Sequence, residues 1–366
     1  MKYDLQPTLV PPQNTLGVLG WLRKNLFNSV GNSIATLVIV ALFFYYVLPV
    51  LNWAFLDAHW IGETRQDCST DGACWVFVIQ RIDQFLYGFY PSEETWRLDL
   101  LFFVLVALLL WLASPKLPAK KYVAMFAVLL FPIFSFYMLN GGAFGLTEVE
   151  THKWGGLSLT LVLAVVGISA SLPFGILLAL GRQSEMPIVR AFSVVFIEVW
   201  RGVPLITVLF MASVMLPLFF PEEMSFDKLV RALIGITMFQ SAYIAEVVRG
   251  GLQAIPKGQY EAADSLALSY WKKMTLIVLP QALKLMIPGL VNTFIALFKD
   301  TSLVLIIGLF DLLAIVQAAT NDPEWIGFST EGYFFAGFIF WLFCFLMSRY
   351  SQHLEKKLKT DHSLAA

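Results

Sequence analysis

Long apolar runs constrain this chain more than any other feature of its sequence. A helix that crosses the hydrocarbon core of a bilayer needs about 20 predominantly apolar residues. Eight runs approach or exceed this length, at residues 34–55, 98–113, 122–139, 157–180, 203–220, 229–248, 282–316 and 333–347. A soluble fold built from such runs would expose large apolar patches. The chain is therefore predicted to be an all-α membrane protein.

Composition supports this class. Hydrophobic residues make up 58% of the chain and charged residues only 14%, whereas soluble domains average about 25% charged residues. The formal net charge of −1 offers no basis for binding nucleic acid. Lys and Arg concentrate in alternate loops between the runs, and the intervening loops are acidic. By the positive-inside rule this alternation predicts about eight spans, with both termini in the cytoplasm.

The run at 282–316 is too long for one straight span. At 1.5 Å per residue it would measure roughly 50 Å, against a hydrocarbon core of about 30 Å. One polar cluster interrupts it, formed by Lys299, Asp300, Thr301 and Ser302. A break is predicted there. Charges within a span often line a substrate path, so these four residues are translocation-pathway candidates. The alternative is that they lie at the outer water boundary and fix the bend.

Two of the three cysteines, Cys68 and Cys74, lie in a polar loop that this topology places outside the cytoplasm. In a bacterial envelope that side is oxidising, so a short disulfide loop is predicted, with free thiols as the alternative. Cys344 lies in an apolar run and is expected to be a small buried side chain. The four histidines are scattered through the sequence, and no metal site is predicted.

Two similar segments fall at predicted cytoplasmic helix ends. Each has a glutamate three residues before an arginine, Glu198 with Arg201 and Glu246 with Arg249. This spacing puts both side chains on one helix face. The pattern is typical of an ion pair that anchors a helix end. A gate or a contact with a partner is the alternative.

The cytoplasmic segment at 255–280 differs from the other loops. Pro256 and Gly258 mark a helix start, and residues 259–268 are predicted to form a short helix with Glu261 in its first turn, where a carboxylate suits the helix dipole. Its small side chains leave a low-relief face, formed by Ala262, Ala263 and Ala267. A short helix held between two spans can transmit a push from a soluble partner into the membrane.

The sequence Glu261-Ala262-Ala263, followed by Ile277-Val278-Leu279-Pro280, resembles the EAA loop of ABC importer permeases. That loop is the coupling helix, which docks into the ATPase subunit. The family usually has glycine where this chain has Ala267, and alanine suits ordinary helix better than a positive φ angle. Pro280 is expected to begin a new helix. The resemblance assigns coupling, within a loop at about 255–273, to Gly258, Glu261, Ala262, Ala263, Asp264, Ala267 and Pro280.

A wider set of segments narrows the family. Residues 198–204, 245–250, 256–259, 279–282 and 299–303 resemble polar amino-acid uptake permeases of the histidine/glutamine type. The resemblance implies a five-helix type I permease core at 151–360. Residues 1–150 then form an extension with three spans and a periplasmic loop. This layout is similar to the M-type subunit of general L-amino-acid importers.

The resemblance implies an inner-membrane permease for L-amino acids. Its implied partners are two ATPase subunits that bind ATP and Mg²⁺, a second permease chain in a heterodimer, a periplasmic binding protein and membrane lipid. The chain itself contains no Gly-Lys dipeptide and hence no phosphate loop, so it is predicted to hydrolyse no ATP and to bind no cofactor. The alternative function is an ion-gradient-driven secondary transporter, which needs intramembrane carboxylates.

Overall fold

The computed structural model describes residues 17–68, 71–114, 116–142, 145–221 and 226–363, with side chains as far as residue 356. The first sixteen residues of the predicted extension lie outside this part. The described α-helices are α1 Gly17–Asn25, α2 Val30–Leu51, α3 Trp75–Gln80, α4 Ile82–Tyr87, α5 Trp96–Ala113, α6 Lys120–Met125, α7 Phe131–Asn140, α8 Gly156–Arg182, α9 Pro187–Gly202, α10 Leu205–Val214, α11 Lys228–Gln253, α12 Lys257–Ser265, α13 Tyr270–Lys273, α14 Leu279–Asp300, α15 Leu312–Thr320 and α16 Ser329–Ser363.

Shorter elements connect these helices. The π-helical turns are Asn52–Leu56, Phe126–Leu130 and Met274–Val278. The 3₁₀ helices are Arg65–Asp67, Ser92–Glu94, Thr151–Lys153, Leu216–Phe219, Thr301–Ile307 and Pro323–Trp325. A two-residue strand, β1 Phe310–Asp311, pairs in parallel with Gly155 and Gly156. The chain divides into two compact units, residues 1–77 and 78–366.

The first unit contains α2, a 22-residue apolar helix with no buried residue. The loop that follows folds back on the end of this helical segment. The Trp75 indole donates a hydrogen bond to the Ala54 carbonyl at 2.7 Å, and its ring stacks on Trp60. The structure joins Cys68 to Cys74 by a disulfide with a Cα–Cα distance of 5.6 Å. These contacts hold the loop in one conformation.

The second unit is built around α8 and α11, which pack along much of their length. Their close approach depends on small residues: a Cβ at Gly175 would lie 2.5 Å from Ile244 Cγ2 and 3.0 Å from the Ser241 carbonyl oxygen. On another side of α11, Gln240 Nε2 donates to the Thr293 carbonyl of α14 at 2.9 Å. This bond satisfies a buried amide that would otherwise be costly.

Among the described residues, six helical segments are long and apolar enough to span a membrane, and a bent pair makes seven. Five lie at the predicted runs 34–55, 98–113, 122–139, 157–180 and 333–347, and the sixth, Tyr270–Ile307, overlaps the run at 282–316. The predicted span at 229–248 lies within α11, which has 26 residues but is not among the six. The count of eight stays a prediction.

The predicted span at 203–220 is wrong as a single helix. The structure forms α9 wholly from residues assigned to the preceding loop and bends the chain by 104° before α10. The run itself contains only α10 and the 3₁₀ helix Leu216–Phe219. Val203 between them is extended, with φ −109° and ψ 136°. A residue that precedes proline is disfavoured in the helical region, so Pro204 accounts for the bend.

The predicted break in the run at 282–316 lies where α14 ends, at Asp300. The segment does not reverse there, because Thr301–Ile307 continues as a 3₁₀ helix. Gly308 ends that helix with φ 72°, a conformation that glycine adopts readily. The polar cluster therefore marks a change of helix type, and the glycine marks the end of the segment.

Candidate functional site

The predicted coupling segment is a short helix, α12, held against its own chain. The Tyr260 hydroxyl donates to the Leu252 carbonyl of α11 at 3.3 Å. Burial raises the pKa of the Tyr260 phenol above its ordinary value. Beyond the helix, Lys273 Nζ pairs with Asp264 Oδ1 at 2.6 Å. These contacts fix α12 to the end of α11 and to the start of the next helical segment.

The alanines of α12 face opposite ways. Ala263 is fully buried within the chain, whereas Ala262 and Ala267 are exposed. The low-relief face predicted for a partner therefore keeps only Ala262 and Ala267, since Ala263 packs α12 against its own chain. Exposed apolar side chains continue this surface, with Leu266 71% and Trp271 60% exposed. These exposed groups form a surface that a soluble partner can cover.

Glu261 lies in the second turn of α12 and not the first. The helix begins at Lys257, two residues earlier than expected, because Pro256 takes the N-cap position. The favourable interaction of a carboxylate with the helix dipole falls off after the first turn. The Glu261 side chain is exposed, so it remains accessible to a partner.

Ala267 ends α12 in a left-handed conformation, with φ 51°. Two hydrogen bonds close the turn around it, from the Leu268 amide to the Ala263 carbonyl at 3.3 Å and from the Ala267 amide to the Asp264 carbonyl at 2.9 Å. This pair is a Schellman motif, whose left-handed position is usually glycine. The sequence-based expectation was that alanine suits this position if the backbone is ordinary helix. The positive φ of Ala267 shows that the backbone is not ordinary helix.

Pro280 does not begin a separate helix, contrary to the sequence-based expectation. The helix runs continuously from α13 through the π turn Met274–Val278 into α14. Proline has no amide hydrogen to donate to the carbonyl four residues earlier. The chain widens into the π turn just before it, where the Leu279 amide donates to the Met274 carbonyl. Gln281 then donates to the Gln259 side chain at 3.1 Å, which ties α14 to α12.

The two Glu-x-x-Arg segments meet in one ion-pair cluster at the predicted cytoplasmic end of the core. Glu246 lies at its centre. Its carboxylate accepts from Arg249 at 2.9 Å, pairs with Arg201 at 3.6 Å and accepts from Arg182 at 2.7 Å. Arg182 also donates to Glu198 at 3.0 Å. The cluster joins the end of α8 to α9 and α11.

One of the two expected pairs forms within its own helix. Glu246 pairs with Arg249 as predicted, but Glu198 pairs with Arg182 of α8, and Arg201 pairs with Glu246 of α11. Arg182 is a site residue that the sequence pattern did not single out. A basic residue at the last position of a helix was the available signal. Glu246 is the shared partner, with its side chain only 16% exposed.

The pathway candidates do not converge on one site. Thr301 is buried, and its hydroxyl donates to the Phe298 carbonyl at 2.7 Å. The Ser302 hydroxyl donates to the Lys299 carbonyl at 2.9 Å. Lys299 is exposed and Asp300 is half-buried. Both hydroxyls are thus satisfied by their own helix, and contact of this segment with substrate stays a prediction.

Within the residues that the structure describes, no group of three His, Cys, Asp or Glu side chains is placed to hold a metal ion.

Hydrogen bonds to Asp67 hold the chain just before the loop that Cys68 and Cys74 close. The backbone amides of Thr64 and Glu63 donate to Asp67, and these bonds lower the pKa of its carboxyl.

Comparison with known proteins decides the family. The family described as “Binding-protein-dependent transport system inner membrane component” matches residues 171–360. The chain belongs to this family. The matched region includes α12 and the whole ion-pair cluster. Membership in a binding-protein-dependent transport family decides against the ion-gradient-driven alternative, and it places this permease in the inner membrane.

Individual relatives extend the match to nearly the whole permease. It is 60% identical over 353 residues to the inner membrane amino-acid ABC transporter permease protein YhdY of Escherichia coli (strain K12), covering 96% of this chain and 95% of that protein. It is 39% identical to the glutamate/glutamine/aspartate/asparagine transport system permease protein BztC of Rhodobacter capsulatus, with 96% of each chain covered. A crystal structure of an amino acid ABC transporter with histidines matches 55% of this chain and 92% of that chain, at 28% identity and a TM-score of 0.49.

Proposed function

We propose that this chain is the membrane-spanning permease of an ABC importer that moves L-amino acids across the inner membrane. The observation that carries the proposal is α12, a nine-residue helix fixed to two membrane segments while Glu261 and Ala262 remain exposed. A helix held in this way moves with the segments that hold it. The names of the two long relatives, both permeases for amino acids, support the substrate class.

ATP is hydrolysed by a separate subunit in this proposal. Two ATPase subunits dock on the exposed face of α12 and its equivalent in a second permease chain, and a periplasmic binding protein delivers the amino acid. ATP binding closes the ATPase pair and switches the permease between inward- and outward-facing states, a conformational step and not chemistry in this chain. The divergent Ala267 and the extension at 1–150 favour a heterodimer over a homodimer.

A pull-down in mild detergent, followed by mass spectrometry, tests this composition. We expect one ATPase subunit type that carries a phosphate loop, together with a second and different permease chain. Recovery of the chain alone under several detergents would count against the coupling role of α12, and recovery with the ATPase and no other permease would indicate a homodimer.

Charge reversal at Glu261 tests the coupling role. We expect Glu261→Lys to reach the membrane at the normal level and to abolish amino-acid uptake, because an exposed ammonium replaces the carboxylate on the docking face. Uptake of radiolabelled amino acids in cells that lack the native gene measures this. The matched control is Glu185→Lys, the same charge change at an exposed residue of the α8–α9 loop, which should leave uptake unchanged. Normal uptake in Glu261→Lys would remove α12 as the coupling element.

A further inference from the structure

A largely apolar cavity of about 610 Å³ lies among four membrane helices, with α5 and α7 on one side and α8 and α11 on the other. This volume falls in the range of about 300–1,000 Å³ that is usual for ligand sites. Its walls include Leu105 of α5, Ile133 of α7, Val162 of α8 and Leu233 of α11. The helices α5 and α7 belong to the predicted extension and the other two to the predicted core.

One end of this cavity carries a carboxylate. Asp99, near the start of α5, lines the cavity and accepts a hydrogen bond from the Tyr87 hydroxyl at 2.7 Å. It is the only charged side chain among the described lining residues. The topology places the start of α5 at the outer membrane surface. The charge at that end complements a cation, while most of the remaining wall is apolar and complements hydrocarbon.

A second polar group lies deeper in the same cavity. Ser135 of α7 lines it, and its Oγ is buried without a hydrogen-bond partner among the residues that the structure describes. Buried hydroxyl groups almost always have a partner, since leaving one unpaired is costly. Ser135 lies five residues before the end of α7 at Asn140, which is about 7 Å along the helix axis. A carboxylate at the outer end, a hydroxyl further in and a largely apolar wall match the polar and apolar parts of an amphiphilic ligand.

We propose that the cavity binds a phospholipid of the outer leaflet with a primary ammonium headgroup, phosphatidylethanolamine being the common bilayer lipid of that chemistry. The ammonium lies against Asp99, an ester carbonyl accepts a hydrogen bond from Ser135, and an acyl chain fills the apolar part between the extension and the core. The lipid is thus a structural component that fills the space between the two sets of helices.

Native mass spectrometry of the full chain, delipidated in detergent and titrated with defined lipids, tests this site. We expect one phosphatidylethanolamine to bind at least about tenfold more tightly than phosphatidylglycerol or phosphatidylcholine of the same acyl chains. Asp99→Asn should remove the preference among headgroups with little change of shape. Val162→Trp, which fills the cavity, should lower binding of all three lipids. The control is Leu346→Trp on the exposed face of α16, which should bind as the native chain does.

Three results would overturn the proposal. Equal affinity for the three lipids in the native chain would show only nonspecific lipid contact. Unchanged binding in Val162→Trp, with Asp99→Asn also keeping its preference, would place the lipid elsewhere. Loss of the bound lipid when the second permease chain assembles would assign the cavity to a partner helix instead. A Val162→Trp chain that fails to fold leaves the decision to Asp99→Asn and to the native chain's selectivity.

Discussion

Ala267 shows how one side chain can oppose the local structure that its neighbours impose. The Schellman hydrogen bonds around it require a left-handed backbone, and its φ of 51° meets that requirement. An L-residue with a Cβ pays about 1–2 kcal/mol in this region because the Cβ approaches the following carbonyl oxygen. The burial of Ala263 and the Asp264–Lys273 ion pair hold the turn in place despite this cost.

Replacement of Ala267 by glycine should therefore stabilise the permease. We expect Ala267→Gly to raise the free energy of unfolding by about 1 kcal/mol, since the relief of strain exceeds the added entropy of the unfolded chain. Thermal unfolding in detergent measures the change. The control, Ala262→Gly, lies within α12 and should lose about 0.5–1 kcal/mol. A loss of stability in both variants would show that the turn is unstrained.

At the scale of elements, proline shapes two of the membrane helices without ending them. Pro132 and Pro280 each follow a π turn, Phe126–Leu130 and Met274–Val278 respectively. Each proline removes one amide donor, and in the wider turn just before it the amide of the preceding residue, Phe131 or Leu279, donates to a carbonyl five residues back. The helix continues past each proline, so neither Pro132 nor Pro280 marks a boundary between spans.

The loop that contains Cys68 and Cys74 is the other element with a direct test. In the structure these two sulfurs are bonded, and Cys344 is free. We expect one alkylated thiol when the native protein is unfolded in detergent without reductant, and three after reduction, counted by intact-mass spectrometry. Three alkylated thiols before reduction would contradict the disulfide and, with it, the placement of this loop on the oxidising side.

At the scale of the whole molecule, Glu246 connects three helices. Arg182 ends α8, Arg201 lies in the last turn of α9, and Arg249 lies one turn after Glu246 in α11. A cavity of about 710 Å³ lies beside this cluster. A carboxylate shared by three guanidinium groups holds the predicted cytoplasmic ends of these helices together, so a change in their spacing requires these ion pairs to break or exchange.

Neutralisation of Glu246 should therefore cost more than neutralisation of Glu198. We expect Glu246→Gln to lower the free energy of unfolding by about 1–3 kcal/mol, since three arginines each lose an ion pair with this largely buried carboxylate and only Arg182 keeps Glu198. Glu198→Gln removes one ion pair from a side chain that is 56% exposed and should cost less than about 1 kcal/mol. Unfolding temperatures of the two variants in one detergent give the comparison. Equal losses would show that Glu246 is not the shared partner.

Much of the architecture follows from local sequence. Apolar runs located six helical segments long enough to cross the membrane, and the polar cluster at Lys299 and Asp300 coincides with the end of α14. The spacing of Glu246 and Arg249 predicted their ion pair, and the EAA-like segment located the short helix α12 to within two residues at its start. These features depend on residues that are close together in the sequence, so hydrophobic periodicity and residue spacing are enough to predict them.

Tertiary structure alone decided which side chains meet across helices. It paired Arg201 with Glu246 and added Arg182 to the cluster. It turned Ala263 inward and formed the cavity that contains Ser135. Hydrophobic pattern states which face of a helix is apolar, but the neighbour that covers the face depends on crossing angles and close approaches such as that at Gly175. These distances arise only when several helices pack together.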